Sequence, residues 1–215
     1  MNIGISQRVD LVRNERRDSL DQNWFRILKN FKLQILPIPN LLTNPIEWIE
    51  NQKIEAFILS GGNDLSFFKK SNKKEVNECR DKLEILILRY CKKKKIPVIG
   101  ICRGLQIINY FFNKKINLKK NIIHVNSKHN IYPNIQEKFR FFKEKKKVIK
   151  VNSYHNFIIP VNEVSKELRI VYRDKDQNAE AVEHKSLPWV GIMWHPERED
   201  KISQLFKNLV SNTFF

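Results

Sequence analysis

The chain has 215 residues, 41% of them hydrophobic, which is enough to bury the core of one globular domain. We therefore expect a single domain over residues 1–215. Its 40 basic and 23 acidic residues give a formal net charge of +17, a balance that suits nucleic acid or an anionic substrate. Much of this excess is lysine in runs without interleaved aromatic side chains, so a nucleic-acid partner is not predicted.

Neither a targeting segment nor a membrane-spanning segment is indicated by the sequence. The first residues, Met1 to Ser6, lack the basic and apolar regions of a signal peptide. No later run reaches the roughly 18 apolar residues of a membrane-spanning helix. The sequence therefore predicts a cytoplasmic protein without a membrane partner.

The predicted elements alternate between short apolar strands and amphipathic helices. In chain order they are a strand at Ile3 to Ser6, a polar loop, a helix begun near Asp18, a strand at Leu33 to Ile38, a helix started by Thr43-Asn44-Pro45, a strand at Ala56 to Leu59, a helix from Val76 to Cys91, a strand at Ile96 to Ile101 and a helix after Cys102. This alternation is typical of an α/β fold with a largely parallel central sheet flanked by helices.

The C-terminal part of the chain is richer in strands. Four are predicted, at Lys147 to Val151, Leu168 to Tyr172, Ala179 to Glu183 and Trp189 to Met193. A last helix uses apolar residues from Ile202 to Val210. No internal repeat or low-complexity linker divides the chain.

The three cysteines contain no Cys-x-x-Cys pair, so neither a disulfide framework nor a metal site is predicted. Cys79 and Cys91 recur with apolar residues at helical spacing. We interpret both as small core side chains, because free cysteine is commonly buried. Cys102 differs from them, because it stands between a predicted strand and a predicted helix.

The segment Gly100-Ile101-Cys102-Arg103-Gly104 has the form of a nucleophile elbow, a sharp strand-to-helix turn that raises its central side chain. Glycines at its two ends avoid collisions with the neighbouring strand and helix. The positive end of the following helix favours a thiolate at the cysteine. The pattern alone leaves a purely structural cysteine open as an alternative.

A partner for the cysteine follows the last predicted strand, at His195 and Glu197. A cysteine nucleophile needs an imidazole to take its proton, and that imidazole needs an acceptor on its second nitrogen. Glu197, two residues further on, supplies the acceptor. His124, His129 and His184 are interpreted as structural, since His195 is set apart by Glu197 and by its position at a strand end.

Four segments together form a set of motifs in a definite order. They are Ser60-Gly61-Gly62-Asn63-Asp64, Gly100-Ile101-Cys102-Arg103-Gly104-Leu105-Gln106, Val151-Asn152-Ser153-Tyr154-His155 and His195-Pro196-Glu197. Over nearly the whole chain this set resembles the class I glutamine amidotransferase superfamily, specifically its γ-glutamyl hydrolase branch. The resemblance implies a flavodoxin-like, doubly wound α/β fold and a catalytic triad of Cys102, His195 and Glu197.

The same resemblance implies roles for the residues around the triad. The backbone amides of Gly62 and Arg103 are expected to form an oxyanion hole, in which fixed N–H donors stabilise a negatively charged intermediate. A second group is expected to hold the glutamyl part of the substrate: Gly61, Gln106, Ser153, Tyr154 and His155. The implied reaction is hydrolysis of a γ-glutamyl amide through a cysteine thioester, which releases L-glutamate and needs no cofactor.

Three arginines bear on the group that leaves with the nitrogen. Arg8, Arg16 and Arg17 follow the first strand, and loops after strand ends surround the ligand site of a parallel sheet. Guanidinium groups there are predicted to bind phosphate oxygens, although Arg16 and Arg17 have a second possible role as partners of Glu15 and Asp18. The segment resembles a subgroup found among bacterial surface-polysaccharide genes. That resemblance implies γ-glutamyl-CDP-amidate as the substrate and cytidine diphosphoramidate as a product for capsular polysaccharide modification.

Other functions remain open at this point. The chain could be a glutaminase component that supplies ammonia to a separate synthetase partner, or a hydrolase of another γ-glutamyl amine. A basic binding protein on a degenerate fold of this kind is a third alternative, which an intact triad argues against. The sequence does not indicate an oligomeric state.

Overall fold

The computed structural model describes residues 1–68, 76–114, 118–120, 126–143 and 147–215. Within these ranges the strands are β1 (Asn2–Ser6), β2 (Arg8–Val12), β3 (Glu15–Ser19), β4 (Gln34–Ile38), β5 (Ile54–Leu59), β6 (Val98–Ile101), β7 (Lys119–Lys120), β8 (Ser127–Pro133), β9 (Ile149–Ser153), β10 (Phe157–Ile158), β11 (Leu168–Arg173), β12 (Ala179–His184) and β13 (Trp189–Ile192). The α-helices are α1 (Asn23–Leu28), α2 (Pro45–Asn51), α3 (Glu78–Lys94), α4 (Arg103–Asn113) and α5 (Gln204–Phe214). Among the described residues, no helix combines the length and the apolar character that crossing a membrane requires.

Nine of the described strands form one sheet, in the order β4-β1-β5-β6-β13-β12-β11-β8-β9. The pairs from β4 to β13 are parallel. The pairs from β13 to β9 are antiparallel. This architecture confirms the predicted α/β class with its parallel central strands and its β-rich C-terminal part. Because β5, β6 and β13 are parallel neighbours, the residues that follow them meet at one edge of the sheet.

Helices cover both faces of the sheet. Successive side chains of a strand point to opposite faces, so a strand of apolar residues presents an apolar surface on each side. On one face, Ile58 and Ile101 belong to a buried cluster that includes residues of α1 and α5. On the other face, Phe57 and Leu59 belong to a cluster that includes residues of α2, α3 and α4. These four side chains are fully buried, and burial of each such side chain stabilises the fold by about 1.5–3 kcal/mol.

A β-hairpin of β2 and β3 stands where the sequence pattern predicts a polar loop. Its two-residue turn consists of Arg13 and Asn14, both with positive φ, as the twist of hairpin strands favours. Helix α1 begins at Asn23 and not near Asp18. Asp18 belongs to the hairpin, and its carboxylate accepts hydrogen bonds from the backbone N–H and the side-chain amide of Asn40 at 2.8 and 2.7 Å.

Three other strands, β7, β8 and β10, are not predicted by the sequence pattern. Strand β8 carries mostly polar side chains and only one buried residue, Ile131, so the sequence does not mark it. Strands β7 and β10 have two residues each and pair with each other in a separate small sheet. The neighbouring β9 begins at Ile149, two residues after the predicted start.

Cys79 is exposed, which corrects its interpretation as a core side chain. The buried residues of α3 are Arg80, Asp81, Leu83, Glu84, Ile87, Leu88 and Cys91. Because Arg80, Asp81 and Glu84 face inward, the buried face of α3 differs from the one that the apolar pattern alone predicts, and it excludes Cys79. Cys91 is buried as expected, and burial raises the pKa of its thiol.

Candidate active site

Cys102 lies at the sharp turn between β6 and α4. Its φ of 51° and ψ of −102° are outside the usual regions for a residue with a side chain. Such backbone strain costs about 1–3 kcal/mol and persists only where the surrounding structure holds it. Part of that support comes from β13, because the Cys102 N–H donates to the carbonyl oxygen of Ile192 at 2.7 Å. The geometry is that of the predicted elbow, with the thiol raised at the end of the sheet.

Gly104 lets α4 pack closely against β5. A Cβ built on Gly104 would lie 2.1 Å from the carbonyl oxygen of Leu59, far closer than real contacts allow. Because the obstructing atom belongs to the backbone, no rotation of a side chain relieves the collision. The second glycine of the elbow therefore permits the approach that sets Cys102 at the start of the helix.

His195 follows β13 and is fixed by contacts to its backbone and to its ring. The side chain of Asn152 in β9 accepts from the His195 N–H and donates to its carbonyl oxygen, both at 2.8 Å. Nδ1 of the imidazole lies 2.6 Å from Oε1 of Glu197, and both side chains are buried. The carboxylate thus orients the ring and leaves Nε2 for chemistry.

Cys102 and His195 lie side by side next to Gly61. A Cβ built on Gly61 would lie 2.6 Å from Cε1 of His195 and 3.6 Å from Cβ of Cys102. Burial by itself lowers the pKa of His195, but the charge and hydrogen bond of Cys102, followed by those of Glu197, raise it to about 9. At neutral pH the imidazole therefore carries a proton beside the sulfur, which suits proton transfer to and from a reacting group.

Gly62 and Arg103, the two residues predicted to form the oxyanion hole, line the same cavity as Cys102. Arg103 is the first residue of α4, where a backbone N–H has no acceptor within the helix. Gly62 lies in the loop of residues 60–64 that follows β5, called the glycine loop below. The guanidinium group of Arg103 binds the carboxylates of Asp81 and Glu84. These contacts leave the backbone N–H of Arg103 for the predicted oxyanion hole.

A cavity of about 430 Å³ opens above the cysteine. Gln106, Tyr154 and His155 line it, which places three of the predicted substrate-binding residues together. The ring of Tyr154 lies edge-on to His195, with the ring centroids 5.7 Å apart. Ser153, by contrast, is fully buried at the end of β9 and is not among the lining residues.

A second cavity of about 250 Å³ adjoins the first. Four residues line both cavities: Arg8, Gly62, His195 and Arg198. The Arg8 side chain packs over the glycine loop, because a Cβ built on Gly62 would lie 3.2 Å from Cβ of Arg8. The guanidinium carbon of Arg198 lies 4.3 Å from the ring centroid of Tyr154. Gly61 also lines the second cavity. The guanidinium groups of Arg8 and Arg198 therefore border the space beside the candidate catalytic residues.

Arg16 and Arg17 lie elsewhere, on the outer strand β3 of the hairpin. Both are exposed, and neither lines either of the two cavities. Nε of Arg17 donates to the carboxylate of Glu15 at 3.0 Å. Of the three arginines predicted to bind the substrate, Arg8 lines both cavities, whereas Arg16 and Arg17 line neither. Arg17 instead pairs with Glu15, which is the alternative role predicted for it.

His129 and His184 line neither of the two cavities. The His184 ring packs edge-on to Trp189 with centroids 6.1 Å apart, in keeping with a structural role. His129 lies with its Nε2 3.2 Å from the buried carboxylate of Glu180. His124 lies outside the described residues.

Three residues near the site do not follow from the sequence reasoning: Arg80, Asn152 and Arg198. The available signal for Arg80 is the group Arg80, Asp81 and Glu84, whose charged residues share the buried face of α3. Arg198 directly follows the predicted triad, and Asn152 lies inside a recognised motif, but nothing in their spacing shows what either side chain contacts.

Comparison with known proteins places this geometry in a family. The family model for Peptidase C26 matches residues 3–197. Gamma-glutamyl-CDP-amidate hydrolase of Campylobacter jejuni is 36% identical over 211 residues, which cover 95% of this chain and 94% of that protein. One component of the glutamine-hydrolyzing GMP synthase of Thermococcus kodakarensis is 25% identical over 179 residues, which cover 80% of this chain and 81% of that protein.

The fold is also shared with a solved structure. A glutamine amidotransferase from Thermotoga maritima superposes with a TM-score of 0.65 at 15% identity, over 98% of this chain and 80% of that one. At this identity the likeness concerns the fold alone. Because the family model spans most of the sequence, the chain belongs to the peptidase C26 family.

Proposed function

We propose that this protein hydrolyses a γ-glutamyl amide bond, with Cys102 as the nucleophile, His195 as the general base and acid, and Glu197 as the residue that orients the histidine. One observation carries the proposal: the buried imidazole of His195 is held by Glu197 at 2.6 Å on one side and interacts with Cys102. Membership of the peptidase C26 family and the likeness to a Campylobacter hydrolase of a γ-glutamyl compound support it.

In the first half of the proposed reaction, the thiolate of Cys102 attacks the δ-carbonyl carbon of the γ-glutamyl group. A carbon–sulfur bond forms, and the carbonyl π electrons move to the oxygen, where the N–H groups of Gly62 and Arg103 stabilise the charge. His195 then gives its proton to the amide nitrogen. The carbon–nitrogen bond breaks, and a glutamyl thioester remains on the enzyme.

In the second half, water replaces the departed amine. His195, now neutral, takes a proton from the water as its oxygen attacks the thioester carbonyl. The carbon–sulfur bond breaks, glutamate leaves, and the thiolate of Cys102 and the protonated imidazole are restored. These steps use the side chains of the site, its backbone N–H groups and water.

We propose γ-glutamyl-CDP-amidate as the substrate, so that the second product is cytidine diphosphoramidate. The Campylobacter relative, 36% identical over nearly the whole of both chains, is named for this substrate. Arg8 and Arg198 border the space beside Cys102, and guanidinium groups bind phosphate oxygens through paired N–H donors. The proposed use of the product is capsular polysaccharide modification, with the enzyme in the cytoplasm.

A glutaminase component is the second candidate function. The observation that favours it is the likeness to the glutamine-hydrolyzing GMP synthase component of Thermococcus, with 25% identity over 80% of this chain. A protein of this second kind would hydrolyse glutamine and supply the ammonia to a separate synthetase. It would turn over slowly alone and faster with its partner, whereas the proposed hydrolase needs no partner.

Glutamate release from a panel of substrates tests the proposal. The purified protein is incubated with γ-glutamyl-CDP-amidate, simple γ-glutamyl amines and glutamine. We expect the fastest release from γ-glutamyl-CDP-amidate, without any partner, and none from the Cys102→Ala variant. If glutamine is the only compound hydrolysed and a synthetase stimulates the release of glutamate, the second candidate is favoured. If no compound is hydrolysed while iodoacetamide still alkylates Cys102, the substrate assignment fails.

A further inference from the structure

Arg80 lies beneath the glycine loop that follows β5, and its side chain is fully buried. Its Nη2 donates to the carbonyl oxygens of Ser60 and Gly61 at 2.7 and 3.1 Å, and its Nη1 donates to that of Gly62 at 2.9 Å. Nη1 also lies 3.1 Å from Oδ1 of Asn63. One planar guanidinium group therefore binds the carbonyl oxygens of three successive residues.

The same arginine belongs to a buried ionic network that reaches the start of α4. Nε of Arg80 donates to one carboxylate oxygen of Glu84 at 2.9 Å, and the other oxygen binds Arg103. Arg103 also binds Asp81, so two cations are matched by two anions. Burial and the charge of Arg103 lower the pKa of Arg80 to about 10, and it remains protonated at neutral pH. The network thus joins the glycine loop to the residue after Cys102.

The contact of Arg80 with the Gly61 carbonyl also concerns the Gly62 N–H, because both groups belong to one peptide unit. In a trans peptide the C=O and N–H groups point in opposite directions. Because the Gly61 carbonyl points at Arg80, the Gly62 N–H points away from Arg80. Gly62 itself lines the cavity together with Cys102. A peptide between two glycines has little steric resistance to rotation, so its orientation depends on such outside contacts.

We infer that Arg80 is a positioning residue, which holds the Gly61–Gly62 peptide so that the Gly62 N–H serves as an oxyanion-hole donor. Rotation of this peptide would put a carbonyl dipole where the tetrahedral intermediate needs a donor. The inference rests on the proposed function, since the oxyanion arises when Cys102 attacks the substrate.

Substitution by lysine separates this role from the charge of the arginine. Arg80→Lys keeps a cation beside Glu84, but an ammonium group presents its donors from one nitrogen and does not match the fork that binds three carbonyls. Arg89→Lys, at an exposed position of the same helix, is the matched control. Thermal unfolding of both variants reports whether each folds.

Two rates are compared in each variant. One is kcat for the fastest γ-glutamyl substrate of the panel, which passes through an oxyanion. The other is the rate at which iodoacetamide alkylates Cys102, a displacement that forms no oxyanion. Since loss of one oxyanion-hole donor lowers kcat by about 10²–10³-fold, Arg80→Lys should lower kcat about 100-fold. The alkylation rate should stay within about 3-fold, as should KM, and Arg89→Lys should change none of these values.

Two results would overturn the inference: a kcat for Arg80→Lys near that of the wild type, or parallel losses of kcat and alkylation, which would indicate a general disturbance around Cys102. If Arg80→Lys does not fold, Ser60→Ala replaces it, because it removes a hydroxyl that accepts from Nη2 of Arg80 at 3.1 Å. A smaller loss of kcat with unchanged alkylation is then expected, and unchanged kcat counts against the inference. Full activity in Cys102→Ala would instead refute the proposed function itself.

Discussion

His195 lies between the thiol of Cys102 and the carboxylate of Glu197. Burial lowers the pKa of the imidazole, but these two neighbours together raise it to about 9. The folded protein thus binds this proton more tightly than the unfolded chain, whose histidines titrate near pH ~6.5. The contribution to stability is therefore complete below that pH and is lost as the pH rises through about 9.

The same shift predicts how activity depends on pH. We expect kcat/KM to fall as the pH rises through about 9, because a neutral His195 no longer protonates the leaving nitrogen. Glu197→Gln removes a charge that raises the pKa of His195, so its alkaline limb should move to lower pH. Glu199→Gln, which changes a nearby carboxylate that does not bind the histidine, is the control. A limb that stays in place in Glu197→Gln would contradict the role of the carboxylate.

Single residues differ in how far the sequence predicts them. Cys102, His195 and Glu197 stand in short motifs beside strand ends, so local spacing is enough to find them. Arg80 acts through contacts with residues 18 to 20 positions away, which no local pattern records. Ser153 lies in the predicted motif, but its place at the end of β9 turns it into the core, and only the three-dimensional structure decides this.

Among the elements, the β2–β3 hairpin sets the position of Arg8. The side chain of Asn63, in the glycine loop, accepts from the Val9 N–H at 2.8 Å and donates to the Val9 carbonyl at 2.9 Å. Nε of Arg8 donates to Asp10 at 2.6 Å within the hairpin. The base of the hairpin is thereby fastened to the loop, and Arg8 is held beside the candidate site.

This arrangement predicts different effects for two arginines of the hairpin. Arg8→Ala should raise KM for γ-glutamyl-CDP-amidate about 10-fold, because a hydrogen bond to a charged group contributes about 1.5–3 kcal/mol. A simple γ-glutamyl amide, which has no phosphate, should be much less affected. Arg16→Ala, outside both cavities, is the matched control and should leave both KM values unchanged. An equal loss for both substrates in Arg8→Ala would show that Arg8 only supports the fold.

The elements that the sequence predicts well are those with a strong apolar pattern, such as β5, β6 and β13. The hairpin is not predicted because charged residues fill β3 and its Arg13-Asn14 turn lacks the glycine that usually marks a tight hairpin. Strand β8 is missed for a similar reason, because most of its own residues are polar. It lies in the antiparallel part of the sheet.

In the whole molecule, the order of the strands brings the candidate site together. The glycine loop follows β5, Cys102 follows β6 and His195 lies just beyond β13, and these strands are neighbours in the sheet. Alternating strands and helices predict a parallel sheet, but the positions of residues 62, 102 and 195 along the chain do not show that they adjoin. The net charge of +17 suits an anionic substrate without identifying one.

We propose that the reaction passes through a glutamyl thioester on Cys102. Hydroxylamine added during turnover tests it most directly, because this nucleophile competes with water for a thioester. The wild-type protein is expected to form γ-glutamyl hydroxamate at the expense of glutamate, and Cys102→Ala is expected to form neither. Glutamate release by Cys102→Ala at the wild-type rate, with no hydroxamate from either protein, would rule out the thioester on Cys102.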